Sequence, residues 1–328
     1  MEAEGIININ KEQNMTSHDV VGRVRRILNM KKVGHTGTLD PMATGVLPVC
    51  AGRATRIMEY LDMDMKRYRC TMKLGFETDT QDIWGQEICR AEEAAVDALT
   101  AEDVIRGFSE FHGDVHQTPP MYSAIKVNGK RLYDYARSGQ KVEIPGRDIY
   151  ISDLVIEDMK LGAGFDSTVT FSVECTKGTY IRSICRDAGE NMGVHGTMSD
   201  LSRTKSGIFE VEEALGLDQL AEMSREEIQA AIHSIWEPLN SFGEINVGHE
   251  DTMRLINGLS VWPSRCDFVR RPRYEGKDFH IPLRDEFKRA YNIFGEMPEG
   301  RSYIGVAIAD AAGDNLIPDK IFYHKQSI

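Results

Sequence analysis

An α+β fold built on a mixed sheet is the architecture this sequence predicts, and three observations carry the prediction. Apolar and polar residues alternate over residues 67–76 and 167–175, as they do in half-buried strands. Helical spacing of apolar residues marks residues 16–29 and 180–192. The two kinds of element follow one another irregularly, with neither a βαβα alternation nor a fixed-period repeat, which disfavours a doubly wound sheet or a solenoid.

Taken in order, residues 5–10 read as a short strand. Thr16, Ser17, His18 and Asp19 then have the spacing of a capping box, in which a Thr and an acid three residues later satisfy each other's backbone N–H groups. Val20, Val21, Val24, Ile27 and Leu28 line one face of the helix that follows. Arg23, Arg25 and Arg26 lie largely outside that stripe, where they either meet phosphate or cover the core. A turn at Lys177-Gly178 separates the strand at 167–175 from the helix at 180–192. Residues 211–236 read as an acidic helical stretch. From residue 246 onward a helix-like piece, a basic segment and apolar runs at 303–309 and 316–323 suggest a small appended domain.

At 328 residues, against ~150 for a typical domain, the chain has room for about two domains. With 41% apolar and 27% charged residues it is expected to fold throughout. No apolar run approaches the ~20 residues that span a bilayer, and residues 1–10 lack the pattern of a secretory leader. Six cysteines (Cys50, Cys70, Cys89, Cys175, Cys185 and Cys266) occur without a C-x-x-C pair, which fits reduced thiols and a cytoplasmic location.

The 39 basic residues against 51 acidic ones give a formal charge of −12, which argues against indiscriminate binding to polyanions. The charge is nevertheless sorted into blocks. Residues 21–73 hold 11 bases and 4 acids, whereas residues 208–251 hold 11 acids and only Arg225 as a base. Such sorting suits a protein that holds a polyanion on one face, although solvated helix faces produce the same clustering.

Three segments concentrate residues able to carry chemistry. The first, GHTGTLDPMATGVLP at residues 34–48, surrounds a single carboxylate, Asp40, with turn formers that allow close backbone approach. A lone acid points to nucleophilic or electrostatic work, but Asp40 followed by Pro41 also fits a helix N-cap and first helical position. The second, KGTYIRS at residues 177–183, sets a phenol and a guanidinium where a strand turns into a helix. The third, residues 117–137, interleaves aromatics with bases. Across residues 116–147 there are 6 bases and 2 acids, a composition suited to stacking on nucleobases and holding phosphates. Nine histidines never fall at metal-ligand spacing, so no catalytic metal is predicted. A dinucleotide fold, a P-loop and a G-x-S-x-G elbow have no support.

Together the segments GHTGTLDPMATGVLPV, QTPPMYSAIKVNGKRLYDYAR and CTKGTYIRSICRDAGE, in that order, resemble the bacterial tRNA pseudouridine synthase B (TruB) family over roughly residues 5–207. The resemblance implies a pseudouridine synthase fold, with a mixed, mainly antiparallel sheet flanked by helices, in a catalytic domain at residues 1–243. Within it, residues 117–147 correspond to an RNA-gripping insertion. Residues 244–328 correspond to a small β-rich C-terminal RNA-binding domain, PUA-like and divergent, with residues 261–300 resembling an insertion.

The implied reaction converts uridine to pseudouridine in the T loop of tRNA, breaking the N1-glycosidic bond and rejoining uracil through C5. By position, Asp40 matches the catalytic nucleophile and Arg182 its ion-pair partner, keeping the carboxylate charged in the pocket. Tyr68 matches the active-site tyrosine that stacks on the target ring and is a candidate for moving the C5 proton. Tyr180 and Leu201 match residues lining the uracil pocket, and His35 matches a contact to the rearranged T loop. Lys11 matches a substrate-site lysine. The family's Lys-Pro-x-Gly here reads Lys11-Glu12-Gln13-Asn14, which puts the placement of Lys11 in question.

An apolar pocket that excludes water would give Leu39, Val46, Leu47 and Leu201 a function besides packing. The resemblance further implies no cofactor and no metal, a tRNA T stem-loop as partner, no membrane, no obligatory protein partner, and a monomer. Two alternatives stay open at this stage: a guide-dependent synthase acting on ribosomal RNA, and a non-catalytic tRNA-folding module.

Overall fold

The computed structural model describes residues 4–61, 64–140, 142–276 and 284–323. Its centre is a nine-stranded mixed sheet. Seven of the strands run in the order Gly5–Lys11, Thr44–Ala51, Gly196–Ser206, Lys66–Leu74, Thr168–Cys175, Arg147–Lys160 and Gly113–Gln117. Val33–His35 and Phe209–Glu210 pair at the side of this path. Every neighbouring pair is antiparallel except Gly196–Ser206 against Thr44–Ala51. The mixed, mainly antiparallel sheet expected from the sequence is the one observed.

Local chemistry explains the elements that matter most to the site. Thr16 and Asp19 do form a reciprocal capping box at the start of the helix Ser17–Ile27, and Val20, Val21 and Val24 are its buried face. Each such side chain, removed from water, contributes about 1.5–3 kcal/mol. The helix Ile181–Asn191, capped at Tyr180, buries Ile181, Ile184, Cys185 and Ala188 against the sheet. Thr44–Ala51 is covered on both faces, which is why seven of its eight residues are buried.

Several expectations change. Arg23 pairs with Asp218 at 2.5 Å and Arg25 donates to the Val33 carbonyl at 2.8 Å, so two of the three helix arginines are engaged by the protein itself. Residues 211–236 are not one helix. Short helices Leu217–Glu222 and Arg225–Ala231 meet at Ser224, which caps the second through Glu227.

Residues 118–146 leave the sheet between the paired strands Gly113–Gln117 and Arg147–Lys160, and carry a small hairpin and the helix Leu132–Arg137. A second, five-stranded sheet is ordered Cys266–Arg270, Gly243–Val247, Ala290–Met297, Gly300–Ala309 and Leu316–Ile321, giving the β-rich C-terminal domain. Residues 261–300 are therefore not a simple insertion. They supply an edge strand and the central strand, whose Tyr291 and Ile293 are needed in the core. Among the basic residues of this segment, Arg265 pairs with Glu250 and Asp251, and Arg270 donates to the Phe242 carbonyl. Lys277 lies outside the described residues.

The two sheets share an apolar cluster that includes Ile57, Tyr60, Phe242, Phe287 and Phe322. Around it, Arg56 donates to the Ile321 carbonyl at 2.6 Å and Tyr60 bonds Asp319. Among the described residues no helix is long and apolar enough to cross a membrane.

Candidate active site

Asp40 lies in the loop between the paired strands Val33–His35 and Thr44–Ala51. The N-cap alternative fails: Pro41 and Met42 form a turn closed by the Ala43 N–H on the Asp40 carbonyl at 3.1 Å, and no helix follows. Buried anchors on both sides of Asp40 fix the loop. Leu39 packs in the core, and its N–H and carbonyl both bond the Ser17 hydroxyl, at 2.9 and 3.2 Å. Lys11 is fully buried and donates to the carbonyls of Glu12, Pro41 and Ala43 at 2.8, 3.0 and 2.6 Å. Burial pushes its ammonium down to about 8, with the Asp40 charge opposing the shift. Its ammonium thus supports the backbone on either side of Met42.

Arg182 meets Asp40 from the first turn of the helix Ile181–Asn191, with Nη2 3.1 Å from Asp40 Oδ2. The arginine side chain is 7% exposed and the Asp40 carboxylate 47%, so the acid stays open to an incoming ligand. The guanidinium is satisfied on its other edges. It donates to the Thr80 carbonyl at 3.0 Å and the Tyr122 carbonyl at 3.1 Å, and Nη1 lies 3.5 Å from Asp82 Oδ2. A buried cation with two carboxylates and two carbonyls around it is held in one orientation. The desolvated carboxylate in this group is Asp82, not Asp40. Burial pushes Asp82 up, against the Thr80 hydroxyl bond and the Arg182 charge.

Tyr68 stands on Lys66–Leu74 between Val173 and Arg203 of the neighbouring strands. Tyr180 is fixed through its backbone: the Gln117 amide accepts from the Tyr180 N–H at 2.8 Å and donates to its carbonyl at 3.0 Å. Asp40, Tyr68, Tyr180 and Arg182 come together in one cavity of about 740 Å³, which Lys66, Tyr122, Tyr133, Arg147, Lys177 and Arg203 also line. Leu201 faces a smaller cavity of about 100 Å³ beside Asp40 and Tyr68. Val46 and Leu47 belong to the core and do not face the site. His35 sits apart, in a groove of about 330 Å³ beyond the Gly37-Thr38 turn. Burial lowers its imidazole, and the Arg203 charge lowers it further.

Comparison with known proteins decides what this arrangement belongs to. Residues 25–181 match the TruB family pseudouridylate synthase N-terminal domain, and residues 182–242 match the tRNA pseudouridylate synthase B C-terminal domain. A protein of Clostridium perfringens named tRNA pseudouridine synthase B is 45% identical over 80% of this chain and 85% of its own. The chain belongs to the TruB family of pseudouridylate synthases. It is accordingly an isomerase, a pseudouridine synthase of the tRNA-modifying kind that its relatives' names record. Relatives so named in Clostridium tetani and Pediococcus pentosaceus are 43% and 42% identical, covering 88% and 83% of this chain and 98% and 92% of theirs.

Among solved structures, an H/ACA ribonucleoprotein bound to a substrate RNA containing 2′-deoxyuridine aligns with a TM-score of 0.71 at 21% identity, covering 99% of this chain and 87% of that one. A Cbf5-Nop10-Gar1 complex aligns with a TM-score of 0.71 at 23% identity, covering 98% and 85%. At that identity the likeness shows the fold alone.

Sequence reasoning missed Asp82, Gln117 as a clamp, and Arg203. Asp82 sits in a polar turn whose partner is far along the chain, which leaves no local signal. Arg203 did leave one, a charge two residues after Leu201 and so on the same face of a strand.

Proposed function

We propose that this TruB-family protein isomerises the T-loop uridine of tRNA, with Asp40 as nucleophile. The observation that carries the reading is the half-open Asp40 carboxylate, aimed by a buried Arg182 into a cavity walled by Tyr68 and Tyr180. The target uridine must leave its stack to reach such a cavity, at a cost of a few kcal/mol. Contacts at the mouth offset that cost. Arg147 and Lys177 are placed for phosphates, and Tyr133, which has Arg131 and Arg137 over its ring, is placed for stacking.

Inside, Tyr68 stacks on the uracil, while Tyr180 and Leu201 bound its edges. The Asp40 carboxylate attacks C1′ as N1 departs with the bonding electrons. Uracil turns and its C5 attacks C1′, displacing the Asp40 carboxylate with the electrons of the O–C1′ bond; C5 then loses its proton while N1 gains one. Arg182, 3.1 Å from the carboxylate, keeps Asp40 oriented toward the cavity. Lys11 holds the loop that carries Asp40, and His35 meets the T loop from the adjoining groove.

Purified protein incubated with an unmodified T-arm stem-loop, and no other component, tests this directly. Turnover at the T-loop uridine is expected from wild type. Asp40→Asn is expected to bind the RNA with nearly unchanged affinity and to form no pseudouridine. Substantial activity in that variant, or modification only when a guide RNA is added, overturns the reading.

A further inference from the structure

Among the described residues no carboxylate pairs with Arg203, the charged residue directly across from Tyr68. It is fully buried, pairs with Tyr68 across the antiparallel strands Lys66–Leu74 and Gly196–Ser206, and lines the same cavity. Its Nε is committed to the fold, donating to the Val46 carbonyl at 2.6 Å. Nη1 and Nη2 are buried and have no partner at full hydrogen-bonding distance among the described residues; the guanidinium instead faces the Tyr68 phenol, whose anion it favours by charge and by hydrogen bonding. The neighbouring cations are engaged: Lys11 on three carbonyls, Lys66 on the Asp64 carbonyl, and Arg182 on Asp40 and Asp82. The nucleophile loop also packs onto this group. Gly37, at φ 65°, sits where a Cβ would come within 3.0 Å of Arg203 Nη1.

A guanidinium remains charged throughout the working pH range, and burying one with four of its five donors lacking a close partner is destabilising. Packing alone is a poor reason to keep it, because only Nε serves the fold.

We propose that Arg203 is a positioning residue for proton transfer, its free Nη edge balancing the negative charge that the Tyr68 phenolic oxygen acquires while it moves the C5 proton of uracil. The proposal rests on the reaction assigned above. Once C5 is bonded to C1′, C5 must lose a proton and N1 must gain one. The Tyr68 phenol gives its proton to N1 and takes the proton from C5, whose C–H electron pair restores the C5=C6 double bond. Atoms and charge balance with no co-reactant, and tyrosine ends as it began. In between, its oxygen is anionic. Burial raises the Tyr68 phenol, and the Arg203 charge opposes that shift, whereas Cys175 and Asp40 add to it.

The test compares wild type, Arg203→Gln, Arg203→Lys and Tyr68→Phe in single turnovers on T-arm RNA carrying hydrogen or deuterium at C5 of the target uridine. Gln keeps a donor for the Val46 carbonyl and removes the charge. Arg203→Gln is expected to bind RNA as wild type does, to react about a hundredfold more slowly, and to show a larger deuterium effect than wild type. Arg203→Lys, which keeps the charge, recovers most of the rate. Adding Arg203→Gln to Tyr68→Phe causes no further loss, because the two act through one oxygen.

Equal deuterium effects in wild type and Arg203→Gln, or additive losses in the double variant, overturn the proposal. Should Arg203→Gln fail to fold, Arg203→Lys carries the test. An intermediate deuterium effect supports the proposal and a wild-type effect refutes it. Failure of the underlying reaction reads differently, since wild type itself then leaves the T arm unmodified, and the proposal falls with it.

Discussion

Nη1 of Arg182 lies 3.5 Å from Oδ2 of Asp82, so the guanidinium that meets Asp40 is held from behind by a second carboxylate. Asp82 is itself fixed by the Thr80 hydroxyl at 2.7 Å and the Trp84 N–H at 3.2 Å. Arg182 therefore cannot swing away from Asp40 without breaking contacts on both sides.

Asp82→Asn keeps the shape of this support and removes its charge. Arg182 then has one carboxylate in place of two, and a small misplacement at the reacting centre costs roughly tenfold to a hundredfold in rate. Single-turnover rates at saturating T-arm RNA are expected to fall by about tenfold or more, with little change in RNA affinity. Because burial raises the Asp82 carboxyl, acidification neutralises it at a higher pH than it would an ordinary aspartate. The acid limb of the wild-type rate profile should follow that titration, and Asp82→Asn should lack this component.

Gly45 touches the backbone of Arg203. A Cβ there would lie 2.2 Å from the Arg203 carbonyl oxygen, and the residue sits at φ 97°. Both the contact and the dihedral exclude a side chain. Gly45→Ala is expected to lose about 3 kcal/mol or more of unfolding free energy, since neither backbone can give way. Urea denaturation measures it.

Lys11→Met removes the donors to the Pro41 and Ala43 carbonyls and should loosen the loop that carries Asp40. Activity falls more than RNA affinity does. The pH dependence has a definite sign. The folded-state value near 8 lies below the ordinary 10.5, so between them the unfolded chain holds a proton that the folded protein does not. Raising the pH through that window stabilises the wild type relative to Lys11→Met, which paired denaturation curves will show.

Gln117→Ala removes both bonds to the Tyr180 backbone. Loss of a buried hydrogen-bonding pair costs about 1–3 kcal/mol, so the thermal midpoint should drop. Because Tyr180 stands at the N-cap position of the helix that begins with Ile181 and Arg182, kcat/KM on T-arm RNA should fall with it. Wild-type kcat/KM in a destabilised variant would show that the clamp serves the fold alone.

Much of this was legible in the chain. Alternation and capping chemistry place the strand at Lys66–Leu74 and the helices at Ser17–Ile27 and Ile181–Asn191 to within a residue or two, because those signals are local. The helical reading of residues 211–236 failed because an acidic composition does not reveal the break at Ser224. The insertion reading of residues 261–300 failed because a strand that pairs with distant segments need not look regular beside its immediate neighbours.

By itself the sequence determined the residue types of the site. It also determined the turn that exposes Asp40 and the helix start that presents Arg182, each written in a dozen adjacent residues. Only the tertiary structure decided that Asp82 backs Arg182, that Lys11 props the loop from below, and that Arg203 lies beside Tyr68 with donors unmet. Those relationships join side chains from separate strands and loops. Their energies depend on burial and distance, quantities that exist only once the chain has closed around them.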